Sequence, residues 1–190
     1  MKYTIEEVLN EKQAKEFLLL PVSLYKNDEN WVRPLDNDIT KVFDPEKNPF
    51  FKHGECTRWL LRDEKGCCVG RVASFIDKSS CHLDSYSVGG MGFFECINDQ
   101  EAAFMLFDRC RVWLEERGME SMEGPVKFGE RNEWWGLLVD GFKPPVFQMP
   151  YTHKYYVPFF ENYGFRDYFK QYIYRTRLVE ESLSKVVVWK

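Results

Sequence analysis

Residues 88–126 read VGGMGFFECINDQEAAFMLFDRCRVWLEERGMESMEGPV, and this stretch decides the fold. A glycine-rich apolar run comes first, an amphipathic run follows, Gly118 interrupts it, and a short second run ends before Pro125. This order is typical of a strand, a helix and a second strand. Because a helix joins them, the two strands are predicted to be parallel, with a right-handed crossover.

The helix of this unit has one apolar face. The residues that recur at helical spacing are Ala103, Leu106, Phe107, Cys110, Trp113 and Leu114. Asn98 is the predicted N-cap, and Glu101, three residues later, completes an approximate capping box. Gly118 is the predicted end of the helix.

Ahead of this unit the sequence predicts helices and then a hairpin. The first elements are a strand at Lys2–Val8, a helix at Glu11–Leu20 that Pro21 kinks or ends, and a helix at Asp36–Phe43 capped by Asp36 or Asn37. Two further predicted strands, Thr57–Arg62 and Cys68–Ile76, are joined by the polar turn Asp63–Gly66. This pattern predicts an antiparallel hairpin.

The region after the unit is rich in aromatic residues. It predicts a helical turn at Trp134–Val139, a helix at Lys154–Tyr163 capped by Gly164, and one or two strands over Phe165–Leu178. The alternation of aromatic and polar residues is the reason for the last prediction.

Length and charge limit the class of protein. With 190 residues, the chain is long enough for one domain with a full core. A net charge of −4 gives no sign of binding to nucleic acid or to an anionic membrane. The opening MKYTIEEVLN has no apolar leader segment, and no apolar run approaches the length of a membrane span. A cytoplasmic protein is therefore predicted.

The six cysteines show neither a C-x-x-C pair nor a regular spacing, which indicates reduced thiols. His53 with Cys56, and Cys81 with His82, are pairs with metal-ligand character. A metal ion needs three or four converging ligands, so no metal site is predicted.

Three motifs resemble the GNAT (Gcn5-related N-acetyltransferase) superfamily: residues 70–76 (GRVASFI), residues 93–118, and residues 158–165 (PFFENYGF). Residues 27–36 (NDENWVRPLD), 89–103 and 123–142 also resemble a group of bacterial GNAT-like proteins in which such a domain can precede a second GNAT domain. The resemblance implies an α+β fold, with a mixed, mostly antiparallel central sheet and helices on both faces. It implies one GNAT-like domain over residues 1–190, and a possible second GNAT domain in a longer protein.

The resemblance also implies acetyl-CoA or another acyl-CoA as cofactor, with its pyrophosphate on a Q/R-x-x-G-x-G/A loop at the start of the third helix. Here the corresponding place holds Ile97, Asn98, Asp99 and Gln100, without glycine or arginine. Asp99 and Glu101 put carboxylates where a pyrophosphate would bind, and carboxylates repel an anion. The sequence thus predicts a degenerate site in a binding or structural module. The alternative is an active N-acyltransferase, moving an acyl group from acyl-CoA to a small-molecule or protein amine.

Acid and base candidates follow from the same resemblance. Many members have a tyrosine that protonates the CoA thiolate, but the matching residue here is Phe160, which has no proton to give. Glu95 and Glu123 end the two strands that separate in this fold, and either carboxylate is a candidate general base. The alternative reading makes both of them partners of nearby arginine or lysine.

Further candidates for a small-molecule pocket are aromatic or cationic: Trp31, Arg33, Arg131, Trp134, Trp135, Tyr155 and Tyr172. Arg33 beside Trp31 suits a carboxylate, and the alternative is a surface stack. The long segment 127–156 either lines a pocket or covers one face of the sheet. Tyr172 either faces the cleft of the sheet or belongs to its core.

Overall fold

The computed structural model describes residues 2–79, 82–83, 86–129, 133 and 136–175. The strands are β1 (Tyr3–Glu7), β2 (Gly54–Asp63), β3 (Cys68–Asp77), β4 (His82–Leu83), β5 (Tyr86–Cys96) and β6 (Ser121–Glu123). The helices are α1 (Glu11–Leu24), α2 (Asp36–Val42), α3 (Gln100–Glu115) and α4 (Tyr156–Tyr163), with a 3-10 turn at Pro49–Lys52.

The strands form one mixed sheet. Its order is β1-β2-β3-β5, and β4 and β6 both pair with β5. Every pairing is antiparallel except that of β5 with β6, where Val88 lies opposite Ser121. The predicted βαβ unit and the predicted hairpin of β2 with β3 are both confirmed, and so is the α+β fold class.

The two faces of the sheet carry different helices. On β2, Trp59 and Leu61 point to the face covered by α3 and α4, where they join one large apolar cluster. Leu60, between them, points to the opposite face and packs against Phe17 of α1. Successive residues of a strand point to opposite faces, so the run of buried residues in β2 serves two cores at once.

A β-bulge interrupts the pairing of β3 with β5. Arg71 lies opposite Glu95, but Ala73 lies opposite Gly92, so β5 has one extra residue at Phe93–Phe94. Phe93 adopts a positive φ of 52°, which is uncommon for a residue with a side chain. A bulge bends its strand and re-aims the side chains beside it. Glu95 and Arg71 form a cross-strand pair and therefore point to the same face, that of α1.

β5 and β6 separate soon after they pair. The Val126 N–H still donates to the Met91 carbonyl at 2.8 Å. Gly92 approaches so closely that a Cβ there would lie 1.8 Å from the Val126 oxygen, so only glycine fits. Beyond this contact β6 no longer pairs with β5 in the described residues. At the end of β5, the backbone groups of Cys96 bond tyrosine side chains instead.

Several helix boundaries differ from the sequence prediction. α1 continues through Pro21 to Leu24 rather than ending at Leu20, and Pro21 itself is buried. Leu35 is the N-cap of α2, without a side-chain cap bond, so neither Asp36 nor Asn37 caps it. Asp36 instead pairs with Arg33.

At α3 the N-cap is Asp99, one residue later than the predicted Asn98. α4 begins at Tyr156, and its predicted end is confirmed because Gly164 adopts a left-handed φ of 115°.

The predicted strand at Phe165–Leu178 is wrong over residues 165–175, which form no strand or helix, and residues 176–178 lie outside the described residues. The predicted helical turn at Trp134–Val139 is not formed over residues 136–139, and Trp134 and Trp135 also lie outside. In the described part of the chain, no helix has the length and apolarity needed to cross a bilayer.

Candidate ligand-binding site at the bulge of β5

A cavity of about 110 Å³ lies beside the bulge of β5. Helices α1 and α2 contribute Pro21 and Ile39, and the sheet contributes Arg71, Phe93 and Glu95. The segment from Gly136 to Thr152 lines the remaining side, largely with proline, methionine and tyrosine. Residues between Gly136 and Thr152 therefore line a cavity. Lining a pocket was one of the two alternatives predicted for the segment 127–156.

Glu95 brings a carboxylate into this cavity. Its Oε2 accepts hydrogen bonds from the hydroxyls of Tyr25 and Tyr156, each at 2.9 Å. Its Oε1 lies 3.9 Å from Nη2 of Arg71, which is too long for a hydrogen bond. Burial raises the pKa of Glu95 to about 7, against the opposing effects of Arg71 and the two hydroxyls. A carboxyl group with this pKa exchanges its proton near neutral pH.

Arg71 is the cation of the site and is 6% exposed. Its Nη1 donates to the Phe17 carbonyl of α1, while Nε is buried without a hydrogen-bond partner among the described residues. Burial also lowers the pKa of this guanidinium, and Glu95 opposes the shift. A buried guanidinium with few bonds is costly, because its five N–H donors lose water without full replacement.

A ladder of four parallel rings supports the carboxylate. Tyr25 stacks on Trp31 at 5.1 Å and on His153 at 4.0 Å, and His153 stacks on Tyr155 at 4.7 Å. Tyr25 is 1% exposed, so the ladder fixes the hydroxyl that bonds Glu95. Burial lowers the pKa of His153, against the opposing effect of Asp28.

The N-terminus of α3 is closed by its own side chains. Asp99 Oδ1 accepts the N–H groups of Glu101 at 2.9 Å and Ala102 at 3.2 Å. Asp99 Oδ2 accepts hydrogen bonds from Lys2 Nζ at 2.6 Å and from the Tyr3 hydroxyl at 3.0 Å. The hydrogen bond from Lys2 and the Ala102 amide lower the pKa of Asp99. The amides that an anionic ligand would use are therefore bonded to a carboxylate.

The edge of β5 beyond the split is also occupied. The Cys96 N–H donates to the Tyr156 hydroxyl oxygen at 2.9 Å, and the Tyr155 hydroxyl donates to the Cys96 carbonyl at 2.9 Å. A linear ligand can add to a free strand edge by bonding its backbone groups. At Cys96, two tyrosine side chains from the start of α4 already hold those groups.

Several solved structures with a similar fold are described as acetyltransferases or as acetyltransferase regions. A predicted acetyltransferase from Clostridium acetobutylicum, solved with acetyl-CoA, matches at a TM-score of 0.56 and 10% identity, covering 91% of this chain and 96% of that chain. A GCN5-related glucosamine N-acetyltransferase region of a fungal β-N-acetylglucosaminidase matches at 0.56 and 15%, covering 86% and 17%. The glucosamine-6-phosphate N-acetyltransferase of Arabidopsis thaliana matches at 0.51 and 11%, covering 93% and 100%.

The chain has the GNAT fold.

One curated relative resembles the GNAT-fold chain in sequence. It is Protein YghO of Escherichia coli strain K12, which is 30% identical over 164 residues. The match covers 85% of this chain and 41% of that protein, so the chain spans less than half of its relative. No protein-family model matches the chain.

The candidate bases lie apart in this GNAT fold. Glu95 lines the cavity, whereas Glu123 is half-buried on β6, where it pairs with Gly90, and is absent from the described lining. Of the predicted cofactor residues, Ile97 donates its N–H to Val69, Asn98 is exposed, and Gln100 accepts a hydrogen bond from Asn162 of α4.

The predicted pocket residues divide into three groups. Trp31 lines the cavity and Tyr155 stands at the end of the ring ladder. Arg33 is about half exposed in its ion pair with Asp36, and Tyr172 is 68% exposed in an irregular segment. The residues outside the described part of the chain are Arg131, Trp134 and Trp135.

The sequence prediction missed Arg71 and Tyr25 as members of the site, and it included His153 and Tyr156 only as part of the segment 127–156. Arg71 carried one signal, because it is the charged residue within the otherwise uncharged run from Cys68 to Ile76. A charge in the middle of a central strand is unusual and needs a partner. Within the described ranges, no three His, Cys, Asp or Glu side chains converge as a metal site would require.

Proposed function

We propose that this chain is a ligand-binding domain of GNAT fold that takes a small molecule into the cavity at Glu95 and does not bind acyl-CoA in the usual manner. The observation that carries the proposal is the bonding of Asp99 to the first amides of α3. A pyrophosphate would have to displace this carboxylate from the helix N-terminus, against its bond to Lys2. The tyrosine bonds to Cys96 support the same proposal at the neighbouring strand edge.

Titration with acetyl-CoA and with CoA tests this proposal. The expected result is no binding heat in calorimetry and an unchanged melting temperature, because both backbone sites are already bonded. A ligand that binds only the native state raises the melting temperature with its concentration. Such a rise with acetyl-CoA would contradict the proposal.

The second candidate function is an N-acyltransferase, and the environment of Glu95 favours it. A carboxyl group with a pKa of about 7, facing a cavity beside a strand bulge, suits a general base for an amine. If the chain transfers acetyl groups, release of free CoA thiol from acetyl-CoA should require an added amine. Glu95→Gln should then slow turnover about 100-fold or more, since general bases contribute at least that factor.

Glu16→Gln is the matched control for that assay. Glu16 is a half-buried carboxylate of α1 that pairs with Arg62, outside the cavity. Turnover that Glu95→Gln leaves unchanged would exclude Glu95 as the base. The second GNAT domain that the sequence resemblance implies is a separate proposal for the part of a longer protein beyond this chain.

A further inference from the structure

We propose that the cavity at Glu95 binds a small zwitterion, an amino acid or a similar amino-carboxylate, with its ammonium on Glu95 and its carboxylate on Arg71. The inference rests on the proposed function, in which this cavity holds a small molecule. It adds the chemical class of that molecule.

Glu95 has a hydrogen-bond acceptor, and Arg71 has hydrogen-bond donors, that no described residue uses. Glu95 Oε2 holds two tyrosine hydroxyls, but Oε1 makes no hydrogen bond among the described residues. Among the described residues, Arg71 donates one hydrogen bond, to the Phe17 carbonyl, lies over the Phe17 ring at 4.8 Å, and has an ion pair with Glu95 at 3.9 Å. The Glu95 carboxylate and the Arg71 guanidinium face one cavity and lie close together without a direct hydrogen bond. They match a ligand whose ammonium and carboxylate groups are separated by one or two carbons.

Burial makes this match selective. Glu95 is 9% and Arg71 6% exposed, so each side chain has lost most of its water. Where Glu95 is ionised, a plain amine would bind Glu95 and leave Arg71 without an anionic partner, and a plain carboxylate would bind Arg71 and leave Glu95 without a cationic one. Leaving one buried charge unpaired is strongly unfavourable, so the site discriminates against both.

The remaining lining limits the size and polarity of the ligand. Trp31, Phe93 and Pro125 are apolar walls, and the cavity of about 110 Å³ is of the order that holds a benzene ring. A side chain of a few carbons fits this space, so small neutral amino acids are the expected ligands.

Binding should also release a proton. The pKa of about 7 means that Glu95 is largely protonated at pH 6, and an ammonium group favours its ionised form. The groups that face Glu95 are Arg71, Tyr25 and Tyr156, with the Tyr155 hydroxyl nearby on Cys96. The neighbouring hydroxyls have raised pKa values and keep their protons at this pH.

A panel of small ligands tests the inference on the intact chain. At pH 8, where Glu95 is largely ionised, L-alanine, L-serine and β-alanine should raise the melting temperature at millimolar concentration, whereas propylamine alone and propionate alone should not. At pH 6, the calorimetric heat of L-alanine or L-serine binding should differ between buffers of different ionisation enthalpy. Equal or stronger stabilisation by propylamine or by propionate would overturn the inference.

Paired variants separate the two charges. Glu95→Gln should weaken binding of the amino acid at least tenfold and remove the buffer dependence of the heat. Arg71→Lys keeps the charge without the planar fork and should also weaken binding at least tenfold. Arg58→Lys is its matched control, because Arg58 lies on the same face over Phe43 and outside the cavity. Circular dichroism verifies that each variant is folded, and unchanged affinity in Glu95→Gln would overturn the inference even where Arg71→Lys fails to fold.

The outcome distinguishes this inference from the proposed function. If none of the three amino acids binds and acetyl-CoA does not bind either, the zwitterion inference is wrong and the closed acyl-CoA site stands. If acetyl-CoA binds, the proposed function is wrong, and amino acid binding then decides the inference on its own.

Discussion

Opposing influences act on the pKa of Glu95. Its burial disfavours the charged form, whereas Arg71 and two tyrosine hydroxyls favour it. Burial prevails, so the pKa lies near 7 rather than near the ordinary value of 4.5. The carboxyl group is therefore protonated in the native state at pH values where it is ionised in the unfolded chain.

This difference predicts how stability depends on pH. Between pH 4.5 and 7 the native state holds a proton that the unfolded state has lost, so the free energy of unfolding should fall as the pH rises through this window. The shift of the pKa corresponds to a loss of about 3 kcal/mol at most. Urea denaturation of Glu95→Gln across this range should show that the contribution has gone, because glutamine does not titrate.

Glu16→Gln is the control for that experiment, since its carboxylate pairs with Arg62 outside the cavity. This control should keep the pH dependence of the wild type. If Glu95→Gln and the wild type have parallel profiles from pH 4.5 to 7, the raised pKa of Glu95 is wrong.

The same residues explain what the sequence revealed of the site. Glu95 was a candidate because the family resemblance places it near the end of one of two strands that separate, and β5 ends one residue later at Cys96. Its partners were not, because Tyr25 and Tyr156 lie 70 and 61 positions away along the chain. Local pattern contains no information on which distant hydroxyls meet a strand, and the bulge at Phe93 that sets the register of Glu95 has no signal apart from the neighbouring glycines.

At the scale of the element, α3 was the best-predicted part of the chain. Its apolar face is buried as predicted, because packing against the sheet follows directly from helical spacing. Its N-cap was displaced by one position. Asn98 and Asp99 are both good caps by residue type, and backbone geometry selects Asp99, whose extended φ and ψ aim its carboxylate at the following amides.

Removal of this cap should destabilise the chain. Asp99→Ala takes the acceptor from the amides of Glu101 and Ala102 and the partner from Lys2, so the free energy of unfolding should fall by about 1–2 kcal/mol. Asp99→Asn keeps an oxygen for the amides and should lose less. Since the pKa of Asp99 is lowered in the native state, the penalty of Asp99→Ala should diminish as the pH falls below the ordinary value of 3.8.

Asp36→Ala is the comparison at another helix start. Asp36 is the first residue of α2 and pairs with Arg33 at the surface, but it is not the cap. Its loss should change the free energy of unfolding by about 0.5 kcal/mol or less. Equal effects of Asp99→Ala and Asp36→Ala in urea denaturation would contradict the capping role of Asp99.

At the scale of the whole molecule, the described residues form a sheet between two unequal helical layers. This arrangement followed from the order of elements, since a βαβ unit after a hairpin leaves few arrangements of the sheet. The structure of the segment after Gly164 could not be predicted in this way. Its alternating aromatics suggested a strand, but Tyr168, Phe169 and Tyr172 are exposed over irregular backbone. Alternation shows that a segment suits a strand, whereas formation of the strand depends on an edge to pair with, and β6 has only three residues.

The two apolar clusters differ in size, and two adjacent leucines of β2 allow their contributions to stability to be compared. Leu60 and Leu61 are adjacent and both 0% exposed, but Leu61 belongs to the large cluster under α3 and α4, and Leu60 to the small one under α1. Buried leucine to alanine changes cost about 2–5 kcal/mol, and less where the surroundings can collapse into the space. Leu61→Ala should therefore lower the free energy of unfolding more than Leu60→Ala, by about 1 kcal/mol on this scale.

Urea denaturation of the two variants decides the question, with Leu9→Ala as a control. Leu9 is 79% exposed ahead of α1, so its loss should be close to neutral. The comparison is direct because both buried changes remove the same atoms from the same strand, and only the face of the sheet differs. An equal or larger loss in Leu60→Ala would place the main support of the fold on the α1 side, where the cavity lies. In that case ligand binding at Glu95 would act on the more stable layer of the domain rather than on the less stable one.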